Sequence, residues 1–90
     1  MTAMSAHQAR LKRLRMRAWR RGTREMDLIL GPWAESELDG LSEADLDAFE
    51  ALLEENDQDL YRWVSGAEPP PESHAALIAR LTPAGRAGVR

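Results

Sequence analysis

The side chains that most often do chemistry in proteins are scarce in this sequence. The two histidines, His7 and His74, lie far apart along the chain, and neither has a second metal-ligating residue three or four positions away. Ser5 and Ser73 lie near these histidines, but both fall beside a terminus or a linker, where a nucleophile would not be buried. We therefore predict that both histidines are exposed to solvent and that the protein is not an enzyme.

The composition excludes several further kinds of site. The 90 residues include no cysteine, which excludes disulfides, zinc–thiolate sites and thiol nucleophiles. No glycine-rich phosphate-binding loop occurs. No apolar run approaches the roughly 18 residues that span a bilayer, and no apolar segment follows the N-terminal arginines as in a secretory signal. We expect a cytoplasmic protein that does not insert into membranes and binds no metal or cofactor of its own.

Positive and negative charges are separated along the chain. Residues 1–24 carry eight of the twelve lysines and arginines and no acid, whereas residues 25–59 carry thirteen of the fifteen acids and no lysine or arginine. This separation could steer a partner, or it could hold the first helix against the acidic remainder of the chain. The arginines could also pair with phosphates, but the acidic remainder would repel DNA, so nucleic-acid binding is retained only as an alternative.

The hydrophobic pattern predicts an all-α fold with five helices, two of them short. The first helix should span residues 7–21 and end at Gly22, which tolerates a positive φ. Thr23 should cap the second helix, and Pro32 should kink or restart it. The aromatic residues are expected to lie mostly in the core, although one tryptophan could be an exposed anchor.

The remaining helices have clear boundary signals. Ser42 should cap a third helix with Asp45 in a capping box, and Asn56 should cap a short fourth helix that ends at Gly66. A proline-rich connector leads to a last helix over residues 72–81. Leu46, Phe49 and Leu53, Leu60, Trp63 and Val64, and Ala75, Ile78 and Leu81 should face the core. The prediction is one helical domain over residues 7–82, with flexible tails at 1–6 and 83–90.

The change of charge sign coincides with the string Arg21-Gly22-Thr23-Arg24-Glu25. Taken alone, it indicates the end of one helix and the start of the next. It lies within the longer string RMRAWRRGTREMDLILGPWAE, and a second block, LSEADLDAFEALLEENDQDLYRWVSG, follows. Together the two blocks resemble the family of SdhE and succinate dehydrogenase assembly factor 2, whose signature is R-G-x-x-E between the first two helices. The resemblance covers roughly residues 10–66.

The resemblance implies a chaperone-like assembly factor of the bacterial cytoplasm. Such a factor would bind the flavoprotein subunit of succinate dehydrogenase, and in some bacteria that of fumarate reductase, and promote covalent attachment of FAD to it. FAD would belong to the partner, and we expect the free chain to be a monomer. Some family members have been called antitoxins, which is kept with nucleic-acid binding as the alternative.

The motif residues are the first candidates for partner contact. By resemblance these are Arg21, Gly22 and Glu25. The residue types agree, since Gly22 permits a close approach, Arg21 has a planar fork for carboxylates or carbonyls, and Glu25 can accept hydrogen bonds. Further contacts are predicted at Arg24, Asp27, Asp57 and Asp59. Gly31 replaces a larger apolar residue common in relatives, so the kink at Pro32 is expected to be sharper.

Overall fold

The computed structural model describes residues 4–81, and every regular element in this range is helical. The α-helices are Ala6–Ala18 (α1), Arg24–Glu37 (α2), Glu43–Leu53 (α3), Asp57–Ser65 (α4) and Glu72–Leu81 (α5), and a single 3-10 turn, Leu38–Gly40, follows α2. This confirms the all-α prediction. The predicted N-terminal tail overlaps α1 by one residue, and the predicted C-terminal tail lies outside the described residues.

The helix boundaries follow from side-chain caps. Thr23, Ser42 and Asn56 each precede a helix and accept a backbone N–H from its first turn, as predicted. The Ser42 hydroxyl accepts the N–H of Asp45, but the Asp45 carboxylate does not accept the N–H of Ser42. The predicted capping box is therefore only half formed. Gly66 ends α4 with φ of 85°, where glycine is favoured.

The helices pack around one apolar core. Trp33 of α2 stacks on Phe49 of α3 with ring centroids 5.4 Å apart, and residues of α4 and α5 close the core on the other side. Within residues 4–81, no helix is both long and apolar enough to cross a membrane. The predicted inward residues of α3 and α4 are buried: Leu46, Phe49, Leu53, Leu60, Trp63 and Val64.

The first helix ends earlier than predicted. It stops at Ala18, with Trp19 as its C-cap at φ of −89°, and Gly22 does not adopt a positive φ. The reason is tertiary, because the indole of Trp19 lies directly over Gly31 of α2 and donates Nε1–H to Glu35 at 3.1 Å. A Cβ at residue 31 would lie 2.4–2.5 Å from this ring. Gly31 therefore allows α1 and α2 to approach closely.

The second helix continues through Pro32 without the predicted restart. Pro32 and Leu28 both lie on the exposed face of α2. The Leu28 carbonyl, which loses its helical donor to the proline, can therefore bond to water instead. Exposure of this face explains why the helix tolerates the proline.

The prediction that His74 is exposed was wrong. His74 is 6% exposed, its Nε2 lies 2.9 Å from Oε2 of Glu55, and its ring tilts against Trp63. The inward stripe of α5 is His74, Leu77, Ile78 and Leu81, whereas Ala75 is only half-buried. The spacing i, i+3, i+4 and i+7 of these four residues was available in the sequence.

The first helix is bound to the acidic part of the chain by its own arginines. Arg10 donates to Glu43, Asp47 and Glu50 of α3 over 2.7–3.1 Å, and its hydrogen bonds to Asp47 and then Glu50 raise the pKa of Arg10 above its usual value. Arg15 reaches Asp39, and Arg17 reaches Glu54. Within the described part of the chain, the side chains of Lys12, Arg13, Arg20 and Arg24 form no hydrogen bond or ion pair. One of the two predicted uses of the charge separation is therefore confirmed.

We predict that Gly31→Ala lowers the free energy of unfolding by about 1–3 kcal/mol, because the new methyl group must displace the Trp19 ring. Alanine would otherwise favour a helix over glycine by about 1 kcal/mol. Urea unfolding measures the change. Gly40→Ala is the control, since no atom lies within 4 Å of its Cβ position. In a Trp19→Ala background, Gly31→Ala should no longer destabilise, and an equal cost in both backgrounds would contradict the explanation.

Candidate functional site

Arg21 points into the domain, although the sequence placed it at a helix boundary. Its side chain is 11% exposed. Nη1 donates to the Leu53 carbonyl at 2.7 Å, Nη2 donates to the Glu55 carbonyl at 2.6 Å, and Nε donates to Oδ1 of Asp57 at 2.8 Å. The guanidinium thus binds the carbonyl of the last residue of α3, a second carbonyl two residues beyond it, and a carboxylate at the start of α4. A positive charge at the C-terminal end of α3 also suits the dipole of that helix.

Asp57 binds the α1–α2 loop from the opposite side. Its Oδ2 accepts the backbone N–H groups of Gly22 at 2.6 Å and Thr23 at 2.9 Å, while Oδ1 accepts from Arg21. The Asp57 side chain is only 12% exposed. One carboxylate therefore fixes three consecutive residues of the loop. The absence of a side chain at Gly22 also leaves room for Asp57, because a Cβ at position 22 would lie 3.3 Å from Oδ2 of Asp57.

Asp27 completes the set of bonds that hold the loop. Its Oδ1 accepts the backbone N–H of Arg21 at 2.7 Å, and its own N–H donates to the Thr23 carbonyl. We call the loop of residues 19–23 with the side chains of Arg21, Asp27 and Asp57 the corner. Three of the five N–H groups of Arg21 donate inside the corner and its side chain is nearly buried, which argues against the expectation that its fork is offered to a partner. Whether any of these residues touches a partner stays a prediction.

Two of the predicted contact residues point away from the domain. Arg24 and Glu25 are exposed in the first turn of α2, and within residues 4–81 neither side chain has a hydrogen-bonding or ionic partner. Gly22 is exposed too. Asp59 is different, because it pairs with Arg62 of its own helix and accepts a hydrogen bond from the Asn56 amide. Glu25 is thus an uncompensated carboxylate held on a fixed backbone.

A concavity of about 340 Å³ lies between the start of α2 and α4. Its wall includes three residues of α4 that were not predicted as contacts, Gln58, Tyr61 and Arg62, and Tyr61 is 48% exposed. A signal for them existed. Once Leu60, Trp63 and Val64 face the core, positions 58 and 61 must lie on the outer side of α4. The lining residues are Thr23, Glu25, Asp57, Gln58, Tyr61 and Arg62.

Comparison with known proteins agrees with the earlier resemblance. The sequence model of the family described as "flavinator of succinate dehydrogenase" matches residues 12–84, which is most of the chain. This chain belongs to that family.

The proteins that are similar to this chain include bacterial and fungal ones. The chain is 40% identical over 60 residues to the FAD assembly factor SdhE of Legionella pneumophila (strain Lens), covering 67% of this chain and 76% of that protein. It is 47% identical over 49 residues to SdhE of Vibrio cholerae, covering 54% and 57%. It is 39% identical over 66 residues to the mitochondrial succinate dehydrogenase assembly factor 2 of Mycosarcoma maydis, covering 73% of this chain but 28% of that protein.

Both histidines of this family member lie beside a glutamate of the same chain. Among residues 4–81, no three histidine, aspartate or glutamate side chains form a cluster that could hold a metal ion. His7 pairs with Glu43 at 3.3 Å and His74 with Glu55, and neither lies among the lining residues of the concavity.

We predict that Asp57→Asn lowers the free energy of unfolding by about 3 kcal/mol, because it removes one partner of a nearly buried ion pair and an acceptor of the loop N–H groups. Asp59→Asn is the matched control. It removes the same charge from the first turn of α4, but its ion pair with Arg62 is more exposed, so it should cost less than about 1 kcal/mol. Chemical denaturation followed by circular dichroism measures both changes. Similar costs for the two variants would show that the corner does not stabilise the domain.

Proposed function

We propose that this protein binds the flavoprotein subunit of succinate dehydrogenase and promotes covalent attachment of FAD to that subunit. Family membership supports this function, because the family description and the names of the relatives refer to flavin attachment and FAD assembly. One observation links the proposal to a particular residue: the carboxylate of Glu25 is exposed beside the fixed corner and has no ionic partner within residues 4–81. The factor acts without donating a catalytic group, and FAD stays in the partner.

The corner suits this role because it removes conformational freedom before binding. Arg21, Asp27 and Asp57 hold the loop through six hydrogen bonds of 2.6–2.9 Å, so a partner would not have to order it. A rigid factor can hold the flavoprotein in a conformation that aligns its reacting histidine with the flavin. Alignment of reacting groups can lower a barrier by about 7–11 kcal/mol in favourable cases.

The wider setting is part of the same proposal. We place the protein in the bacterial cytoplasm, as a monomer when it is free, and we include the flavoprotein of fumarate reductase as a second partner in bacteria that have one. The bacterial relatives support the bacterial part of this setting. Three of the arginines that suggested nucleic-acid binding, Arg10, Arg17 and Arg21, contact carboxylates of this chain, which weakens that alternative.

The test is reconstitution from purified components. The apo-flavoprotein subunit of the same organism is incubated with FAD, with and without this protein, and covalent flavin is read as fluorescence of the denatured subunit in a gel. We expect the covalent flavin signal to rise severalfold when the factor is present. An equal signal with and without a folded factor would overturn the proposal.

We predict that Glu25→Ala reduces both complex formation and covalent flavin while the helical circular dichroism and the melting temperature stay close to those of the natural protein. The carboxylate makes no contact within residues 4–81 whose loss would unfold the domain. The matched control is Glu72→Ala, since Glu72 is likewise exposed in the first turn of its helix, α5. Loss of helical structure in Glu25→Ala would show instead that Glu25 has a structural role.

A further inference from the structure

The concavity beside the corner contains both occupied and free polar groups. The Asp57 carboxylate already accepts hydrogen bonds from Arg21, Gly22 and Thr23. The Arg62 guanidinium already donates to Asp59 and, over 3.3 Å, to Glu68. The remaining polar side chains of the wall are therefore the ones available to a ligand.

Three lining side chains stay free. Within the described residues 4–81, the Glu25 carboxylate, the Gln58 amide and the Tyr61 hydroxyl have no hydrogen-bond partner, and all three residues are exposed. The set brings a full negative charge from α2 together with an amide oxygen and an aromatic ring from α4 in one concavity. Carboxylates and amide oxygens accept hydrogen bonds, and the face of an aromatic ring attracts cations.

The charges around the concavity also favour a cation. The starts of α2 and α4 would attract an anion, but Thr23 and Asn56 already accept the N–H groups of Met26 and Asp59 at these two helix ends. Acidic side chains occupy both first turns as well. Glu25 is then the lining charge without a counter-charge. An anionic ligand would meet repulsion, and an apolar one would bury this carboxylate unpaired.

We propose that this concavity receives a basic side chain of the flavoprotein, with arginine fitting better than lysine. The inference rests on the proposed function and names the chemistry of the contact. Glu25 accepts charge-assisted hydrogen bonds from the cation, Tyr61 lies against it with its ring, and Gln58 accepts through its amide oxygen. Arginine is favoured because its planar guanidinium can pair with a carboxylate and stack on a ring at the same time.

The first test changes the charge at position 25. The affinity for the apo-flavoprotein subunit is measured by calorimetry at several salt concentrations for the natural protein, Glu25→Gln and Glu25→Lys. We expect Glu25→Gln to weaken binding about ten- to a hundredfold and to flatten the salt dependence, and Glu25→Lys to weaken it further. Glu72→Gln and Glu72→Lys, which make the same changes of charge in the first turn of α5, should bind like the natural protein. A Glu25→Lys variant that binds as well as Glu25→Gln or better would overturn the proposal.

The second test separates a ring contact from a purely apolar one. Tyr61→Phe keeps the aromatic face, whereas Tyr61→Leu keeps apolar bulk without it. We expect Tyr61→Phe to bind within about threefold of the natural protein and Tyr61→Leu to bind on the order of tenfold more weakly. Equal affinities for these two variants would overturn the ring's role as a cation contact. Melting temperatures near that of the natural protein confirm that each variant is folded.

The outcomes distinguish this inference from the proposed function. If the natural protein binds the flavoprotein and raises covalent flavin while the variants at positions 25 and 61 bind equally well, only the inference fails. If the folded natural protein does not bind the flavoprotein at all, both fail.

Discussion

The bonds of the Asp57 carboxylate hold the candidate site together. This group lies in the first turn of α4, yet it binds the loop between α1 and α2 through the side chain of Arg21 and the N–H groups of Gly22 and Thr23. Arg21 in turn binds two carbonyls at the end of α3. Four helices therefore meet at one ion pair, and loss of either member would leave a nearly buried charge or several N–H groups without a partner.

This arrangement divides the R-G-x-x-E motif into two parts with different roles. Arg21 and Gly22 belong to the corner, where one supplies the donors and the other permits the close approach of Asp57. Glu25 lies two residues beyond Thr23, in the first turn of α2, and faces solvent. A fixed backbone with a free carboxylate is a favourable basis for recognition, because little ordering cost remains when a partner binds.

The basic residues of α1 also divide into two groups, those that pair with acids of this chain and those that do not. Arg10, Arg15 and Arg17 point sideways from α1 toward acids of α2, α3 and the 3-10 turn, and they pair with them. Most of these pairs are exposed and contribute little each, but together they favour one orientation of α1 on the acidic surface. Arg13, which is exposed on α1, forms no ion pair within residues 4–81.

The sequence by itself determined much of the local structure, since helix caps and apolar periodicity depend on residues a few positions apart. Thr23, Ser42, Asn56 and Gly66 have the predicted roles, and the inward stripes of α3 and α4 follow their spacing. The family was also readable, because its motifs are contiguous strings.

Only the tertiary structure decided which way the polar side chains point. The end of α1 depends on Trp19 lying over Gly31, and the burial of His74 depends on Glu55 and Trp63. The inward direction of Arg21 depends on Asp57, which is 36 residues away. A charged side chain at a helix boundary is ordinarily exposed, and it turns inward only where internal partners replace its contacts with water. Its direction is set by which carboxylates and carbonyls the packed helices bring within hydrogen-bonding distance, and local sequence patterns do not contain those distances.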